Sequence, residues 1–396
     1  MFENLSEPPI DPLYRVSNAF AADQREEKID LGVGVYKDAE GNASMMQCVR
    51  DAERHLAQTR STKSYLPQAG APAFLDGMTR LLFGEERRPE MARIQTVGGT
   101  GGIRLALELA KSANPDIQVT LGLPSWPNHA SICETLGIKV RPFNHCNEDG
   151  SRACLANAFA AVSQARRGDV LILHGPCHNP TGLDYSSEEL LEILNMARSK
   201  GVIPLIDAAY YGLGSDLDGD LVQLNKLFRA VPETMLVMSC SKTFGLYRDR
   251  IGILFASCGT EKVASNMQAT LQIIARTTYS GPAAHGAEVV GHILADPSLT
   301  QDWKAELTEM RERIRSVRSQ IAESVSRFRE LEQIAAGRGI FAMLPLEPAD
   351  VRKLAEQCAI FMPASGRVNL AGLANSDVQK FVDALISCVS QQAGLP

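Results

Sequence analysis

Lys242 follows Ser239 by three residues and Ser241 by one, at the end of the apolar run Met235–Met238, with Arg248 and Arg250 close behind. The apolar run reads as a short buried strand, so hydroxyls and cations gather where it emerges, a grouping suited to a phosphate dianion. A lysine beside other cations has its charged form disfavoured, and a neutral amine is a nucleophile that can form a Schiff base with a carbonyl. A basic surface turn would use the same residue types, so the rest of the chain must decide between the two.

A second anion-binding feature is the run Gly98-Gly-Thr-Gly-Gly-Ile-Arg104, which follows the strand-like Ile94–Val97 and opens a helix predicted over Ile103–Ser112. Free N–H groups and the positive end of a helix dipole favour an anion at such a turn. The glycines fit neither G-x-x-x-x-G-K-[ST] nor G-x-G-x-x-G, so a single phosphate suits the turn better than a nucleotide. Asp207 closes the apolar run Val202–Ile206, where a buried carboxylate needs a cationic partner; a protonated pyridine nitrogen would serve. Tyr210 and Asn179 could reach a ring hydroxyl, and Trp126 could lie flat on an aromatic ring. Each of these residues has an ordinary use in capping, turning or packing, but the set as a whole matches the needs of pyridoxal phosphate: an amine, an anion site, an acid and a stacking ring.

The elements that must position these residues alternate. Strands are predicted at Val119–Leu123, Lys139–Phe143, Val170–His174 and Ile203–Asp207, with helices at Asn128–Leu136, Leu155–Gln164 and Ser187–Lys200 between them. That rhythm predicts a parallel sheet covered on both faces, with its ligand beyond the carboxyl ends of the strands. Pro124-Ser-Trp126, His174 to Gly182, Asp207 to Tyr210, the glycine run and Lys242 all fall at such ends. Further on come a strand at Ile251–Ala256, a helix at Thr260–Ile274 and a long amphipathic helix from about 301 to Phe328 that bridges two domains. Before the sheet, Pro8, Pro9 and Pro12 predict an extended arm, with helices at Tyr14–Ala22 and Cys48–Thr59. The expected fold is α/β: a three-layer large domain over 46–300, and a small α+β domain built from both termini, 1–45 and 301–396.

Composition narrows the functional class. The chain has 396 residues, 45% of them hydrophobic, enough for substantial cores. A net charge of -6 gives no general attraction to nucleic acid or to an anionic membrane. Nine scattered cysteines without a C-x-x-C pair predict reduced thiols, neither a disulfide framework nor a metal site. The first residues lack the basic flank and apolar run of a secretory signal, and no segment has the apolar length to span a bilayer, so a cytoplasmic protein is expected.

The motifs together resemble the aspartate/aromatic amino acid aminotransferases, class I aminotransferases of the fold-type I pyridoxal-phosphate enzymes. The resemblance is carried by Asp30-Leu-Gly-Val-Gly-Val-Tyr-Lys-Asp38, Gly98-Gly-Thr-Gly101, Pro124-Ser-Trp-Pro-Asn-His129, Cys177-His-Asn-Pro-Thr-Gly182, Ser239 to Tyr247 and Ser365-Gly-Arg-Val-Asn369. It implies that Lys242 is the Schiff-base lysine and the mover of the proton between substrate and cofactor. It implies a phosphate held by Gly99, Thr100, Ser239, Ser241, Arg250 and, from the partner subunit of a homodimer, Tyr65. Asp207 would pair with the ring nitrogen, with His129 behind it; Tyr210 and Asn179 would hold the ring oxygen and Trp126 would stack. Arg367 would take the substrate α-carboxylate and Arg276, across the dimer, a side-chain carboxylate, with Gly34 and Phe341 lining the pocket. The implied reaction is ping-pong transamination between an amino acid and 2-oxoglutarate through pyridoxamine phosphate.

Gly281, Ser64, Ala43 and Tyr211 depart from the pattern of aspartate-specific members, and three of these changes remove bulk or polar groups near the pocket. Aromatic amino acids alongside aspartate are therefore the expected substrates. The alternatives are a strict aspartate aminotransferase and, with the same cofactor, a decarboxylase or lyase.

Overall fold

The computed structural model describes residues 2–5, 12–326 and 331–393; Pro8 and Pro9 of the expected arm and Phe328 of the expected long helix lie outside them. Strands among these residues are β1 (Ile29–Asp30), β2 (Met91–Val97), β3 (Gln118–Leu123), β4 (Lys139–Asn144), β5 (Val170–His174), β6 (Ile203–Ala208), β7 (Thr234–Ser239), β8 (Ile251–Ser257), β9 (Phe341–Met343), β10 (Ile360–Phe361) and β11 (Arg367–Asn369). The chain forms two compact units, Ser44–Glu312 with Gly337–Gly339, and Met1–Ala43 with Arg313–Ala336 and Ile340–Pro396.

The larger unit is built on a sheet of order β2-β8-β7-β6-β5-β3-β4. β8 runs antiparallel to both its neighbours, and the other pairs are parallel. Six strands therefore end at one edge. Val170, Ile172, Leu205 and Val237 face a core shared with Leu105, Leu109 and Leu271 of the helices Gly98–Ala113 and Glu261–Tyr279. Leu171, Leu173 and Leu236, one residue out of phase, are buried as well. A sheet buried on both faces is why its strands read as unbroken apolar runs. The fold is the expected α/β class.

Three local expectations change. The glycine run does not precede its helix; it is the first turn and a half of the helix Gly98–Ala113. A Cβ on Gly102 would stand 2.5 Å from Val237 Cγ1, so glycine here lets the helix lie close on the sheet, which outweighs its poor helix propensity. Lys242 sits in a short helix, Cys240–Thr243, that turns the chain at the end of β7. An unexpected helix, Leu217–Ala230, follows Tyr210, capped by Asp216 accepting from Gly219 N–H at 2.7 Å.

In the smaller unit, β1 pairs in parallel with β10, and β9 antiparallel with β11. Its core gathers Ile29 and Leu31 from the front of the chain with Val317, Ile321, Leu354, Phe381 and Leu385 from the back, an α+β unit made from both ends. The long helix, Pro297–Ser324, starts four residues earlier than expected. No helix among the described residues is long and apolar enough to cross a membrane.

Candidate active site

The carboxyl ends of β3, β5, β6 and β7, with the helix after β2, enclose a cavity of about 140 Å³. Ser239 ends β7, and its Oγ accepts from Ser241 N–H at 3.2 Å and lies 3.2 Å from Ser241 Oγ. Arg250 donates from Nη1 to Ser241 Oγ at 3.3 Å, and its carbonyl accepts from Gly98 N–H at 2.8 Å. Gly98 has φ +62°, and a Cβ there would stand 2.5 Å from Arg250 Nη2. Two hydroxyls, a guanidinium and the amino end of a helix at Gly99 and Thr100 thus converge on one corner, and all favour an anion.

Lys242 projects from the turn between these groups, its Nζ 5.2 Å from the centre of the Tyr210 ring. The turn is held from behind. Thr243 Oγ1 donates to Tyr211 O at 3.0 Å, and Trp303 Nε1 donates to Thr243 O at 2.8 Å. The Trp303 ring, fully buried, stacks on Phe244 at 4.4 Å with planes 2° apart.

At the end of β6, Asp207 pairs in register with His174 of β5. His129, in the first turn of the helix Pro127–Thr135, bonds Asp207 Oδ2 through Nε2 at 3.0 Å. A carboxylate only accepts, so Nε2 carries the hydrogen and, in the neutral ring, Nδ1 is bare. Ser125 Oγ, 2.9 Å from that Nδ1, donates to it and accepts from His174 Nε2 at 3.0 Å. The chain His174, Ser125, His129, Asp207 thus runs in one donor direction. Burial pushes His174 down to about 3 and His178 well below the ordinary imidazole range, so both stay neutral near pH 7. Burial alone would raise the Asp207 carboxyl; the His129 hydrogen bond leads the interactions that outweigh it, and the net displacement is downward.

Two buried oxygens on this wall have no hydrogen-bond partner among the described residues, Asp207 Oδ1 and Asn179 Oδ1. Asn179 Nδ2 donates to Tyr210 Oη at 3.3 Å, and both residues are buried. Trp126 closes the wall, its ring edge-on to His129 at 5.2 Å.

The structure therefore brings together Gly99, Thr100, Trp126, Asn179, Asp207, Tyr210, Ser239, Ser241, Lys242 and Arg250. Tyr65 and Arg276 are exposed and do not line this cavity. Arg248, expected beside Lys242, is not among the residues lining the cavity, whereas Arg250, at φ +55°, is. Gly34, Phe341 and Arg367 lie in the smaller unit, where they cluster. A Cβ on Gly34 would stand 2.7 Å from Phe341 Cζ, and the Arg367 guanidinium lies 4.5 Å from the Phe341 ring centre and donates to Gly32 O at 2.5 Å.

Tyr211 does not line the cavity; it is fully buried against Cys240, and burial pushes its phenol well up and the Cys240 thiol up to about 12. Ser125, His174 and Ala209 are site residues that the sequence left without a role. Ser125 and His174 stood inside motifs already picked out, but their meeting depends on β3 and β5 being neighbours.

The model of the family "Aminotransferase class I and II" matches residues 26–385. A tyrosine aminotransferase of Rhizobium meliloti is 40% identical over 390 residues, covering 98% of this chain and 100% of that protein. An aspartate aminotransferase of Haemophilus influenzae is 35% identical, covering 98% and 99%. Among solved structures, the aromatic-amino-acid aminotransferase of Burkholderia pseudomallei, covalently bound to pyridoxal phosphate, superposes with a TM-score of 0.94 at 30% identity, covering 98% and 99%. The chain belongs to the class I and II aminotransferases.

Proposed function

We propose that this aminotransferase holds pyridoxal phosphate in the cavity at Lys242 and moves amino groups between aromatic amino acids or aspartate and 2-oxoglutarate. The observation that carries the cofactor reading is Asp207. One of its buried oxygens is taken by His129 and the other has no partner among the described residues, a costly state that a protonated ring nitrogen would relieve. The donors Asn179 Nδ2 and Tyr210 Oη, and the anion corner at Ser239, Ser241, Arg250 and Gly99, fit the ring oxygen and the phosphate of the same molecule. The cofactor supplies an aldehyde and an electron-accepting ring.

The protein's own residues do the rest. Lys242 holds the cofactor and, once released, takes and returns the proton of the substrate α-carbon through Nζ. Asp207 keeps the ring nitrogen protonated, and the hydrogen-bonded chain from His129 to His174 keeps Asp207 ionised. Asn179 and Tyr210 hold the ring oxygen, and Trp126 covers the ring. Arg367 binds the substrate α-carboxylate through its planar fork, with Gly34 and Phe341 beside it. The exposure of Tyr65 and Arg276 supports a homodimer in which each chain lends these two to its partner's site.

The aromatic reading is supported by relatives named for tyrosine and aspartate, and by the open space at Gly281, where a Cβ would meet nothing within 4 Å. A strict aspartate enzyme is the second reading, favoured by the 35% identical relative. The test is a half-reaction panel, in which purified protein is mixed with aspartate, glutamate, tyrosine, phenylalanine and tryptophan and the bound cofactor is followed by absorbance. Dual reactivity is expected; reaction with the dicarboxylates alone would leave the second reading. The cytoplasm is the proposed location.

A further inference from the structure

Asp184 and Asp220 do not line the cavity, yet each grips a loop that reaches it. Asp220 is 2% exposed, and its oxygens accept from the N–H groups of Gly212 at 2.8 Å, Gly214 at 3.0 Å and Ser215 at 3.0 Å, and from Ser215 Oγ at 3.0 Å. That loop follows directly on Tyr210. Asp184, partly buried, accepts from Cys177 N–H at 2.9 Å and His178 N–H at 2.7 Å, the two residues before Asn179. Cys177 holds a left-handed φ of +67°, a conformation that a side chain disfavours and that persists only where its surroundings fix it. The loops also press on each other: a Cβ on Gly214 would stand 2.7 Å from Asp220 Oδ1 and 2.9 Å from Pro176 Cβ. Their tips meet in the bond from Asn179 Nδ2 to Tyr210 Oη.

We propose that Asp184 and Asp220 are positioning residues that set Asn179 and Tyr210 as a donor pair for the cofactor's ring oxygen, and that the pair loosens in mild acid. The proposal rests on the reading of the cavity as a pyridoxal-phosphate site. Burial pushes the Asp184 carboxyl up to about 6, against the lowering effect of the Cys177 and His178 bonds and the Arg338 charge, while Asp220 adds to the rise. Burial likewise raises Asp220 against its four bonds. Around them, burial keeps the imidazoles of His145, His174 and His178 neutral and Arg338 faces Asp184, so Asp184, with Asp220 raised beside it, takes up a proton as pH falls through about 6. Protonation puts an O–H on one oxygen that now accepts a backbone N–H, and weakens the hold on Cys177 and His178.

The experiment measures equilibrium affinity of the apoprotein for pyridoxal phosphate, by dialysis, in wild type, D184N, D220N, N179A, Y210F and the doubles D184N/N179A and D220N/Y210F. Each single acid substitution is expected to weaken binding by roughly tenfold at about pH 8, and to change it little once the donor it positions is gone. From about pH 8 to about pH 5.5, wild type should lose roughly tenfold more affinity than N179A, while the free cofactor's own titration is common to both. Additive losses in the doubles, or parallel pH curves for wild type and N179A, would overturn the proposal. If D184N or D220N does not fold, the pH comparison decides alone. Wild type that binds no pyridoxal phosphate would overturn the cofactor reading and this proposal together, whereas binding with parallel curves would overturn only the latter.

Discussion

His129 donates to Asp207 Oδ2 at 3.0 Å and leaves Oδ1, equally buried, without a partner among the described residues. The pairing decides the charge of the aspartate: burial alone would raise it, and His129 is first among the groups that bring it down. A folded value below the unfolded one of about 3.9 means that the carboxylate stabilises the fold above that pH and loses the contribution as pH falls through the lower folded value. In H129A, burial dominates and the Asp207 value rises. The acid limb of the kcat/KM profile should therefore move to higher pH, and activity near pH 7 should fall by roughly tenfold or more. A pH-rate profile of H129A that overlays wild type would contradict this.

The anion corner is set by Gly98. A methyl group at φ +62°, aimed at Arg250 Nη2 2.5 Å away, must displace the guanidinium or the turn. G98A should therefore weaken affinity for pyridoxal phosphate by about tenfold or more, from about 1–2 kcal/mol of backbone strain and the lost alignment of Arg250. Titration of the apoprotein checks it, with R250A expected to remove the part of the G98A loss that comes from the displaced guanidinium and to leave the part that comes from strain.

Trp303 supports the lysine turn through one hydrogen bond and one stacked ring. W303F keeps a ring against Phe244 and leaves the buried Thr243 carbonyl without its donor, at about 1–3 kcal/mol. W303A also opens a cavity and should cost about 3–5 kcal/mol. Denaturant unfolding should rank wild type, W303F and W303A in that order.

The two arginines proposed to bind substrate, Arg276 and Arg367, should separate by substrate. R276A is expected to lower kcat/KM for aspartate by about 10- to 100-fold, while tyrosine, with no side-chain carboxylate, changes much less. R367K should lower both alike, because every amino acid substrate presents an α-carboxylate and an ammonium cannot reproduce the fork. Steady-state kinetics with the two substrates checks both.

The strands from Val119 to Asp207 were legible because a sheet buried on both faces writes itself as short apolar runs between amphipathic helices. The site was legible because the motifs fall where those strands end, an effect of topology that needs no side-chain detail. What was not legible depends on packing. The glycine run looked like a loop because glycine disfavours helices, and only the closeness of Gly102 to Val237 explains its helical state. Tyr211 stood among the departures from the aspartate-specific pattern, but it is fully buried against Cys240, away from the cavity. The helix Leu217–Ala230 did carry a signal, Asp216 followed by Leu217, Leu221, Leu224 and Phe228 at three- and four-residue steps. Ser125 meets His129 and His174 across two strands, and Asp184 and Asp220 brace loops rather than line the cavity; no spacing rule announces either.

The most direct test of the account is to identify the lysine that holds the cofactor. Purified protein loaded with pyridoxal phosphate is reduced with borohydride, digested and mapped by mass spectrometry. The account predicts one pyridoxyl group per chain, on the peptide containing Lys242, and none in K242A. A label on another lysine, or a labelled K242A at wild-type stoichiometry, would contradict it.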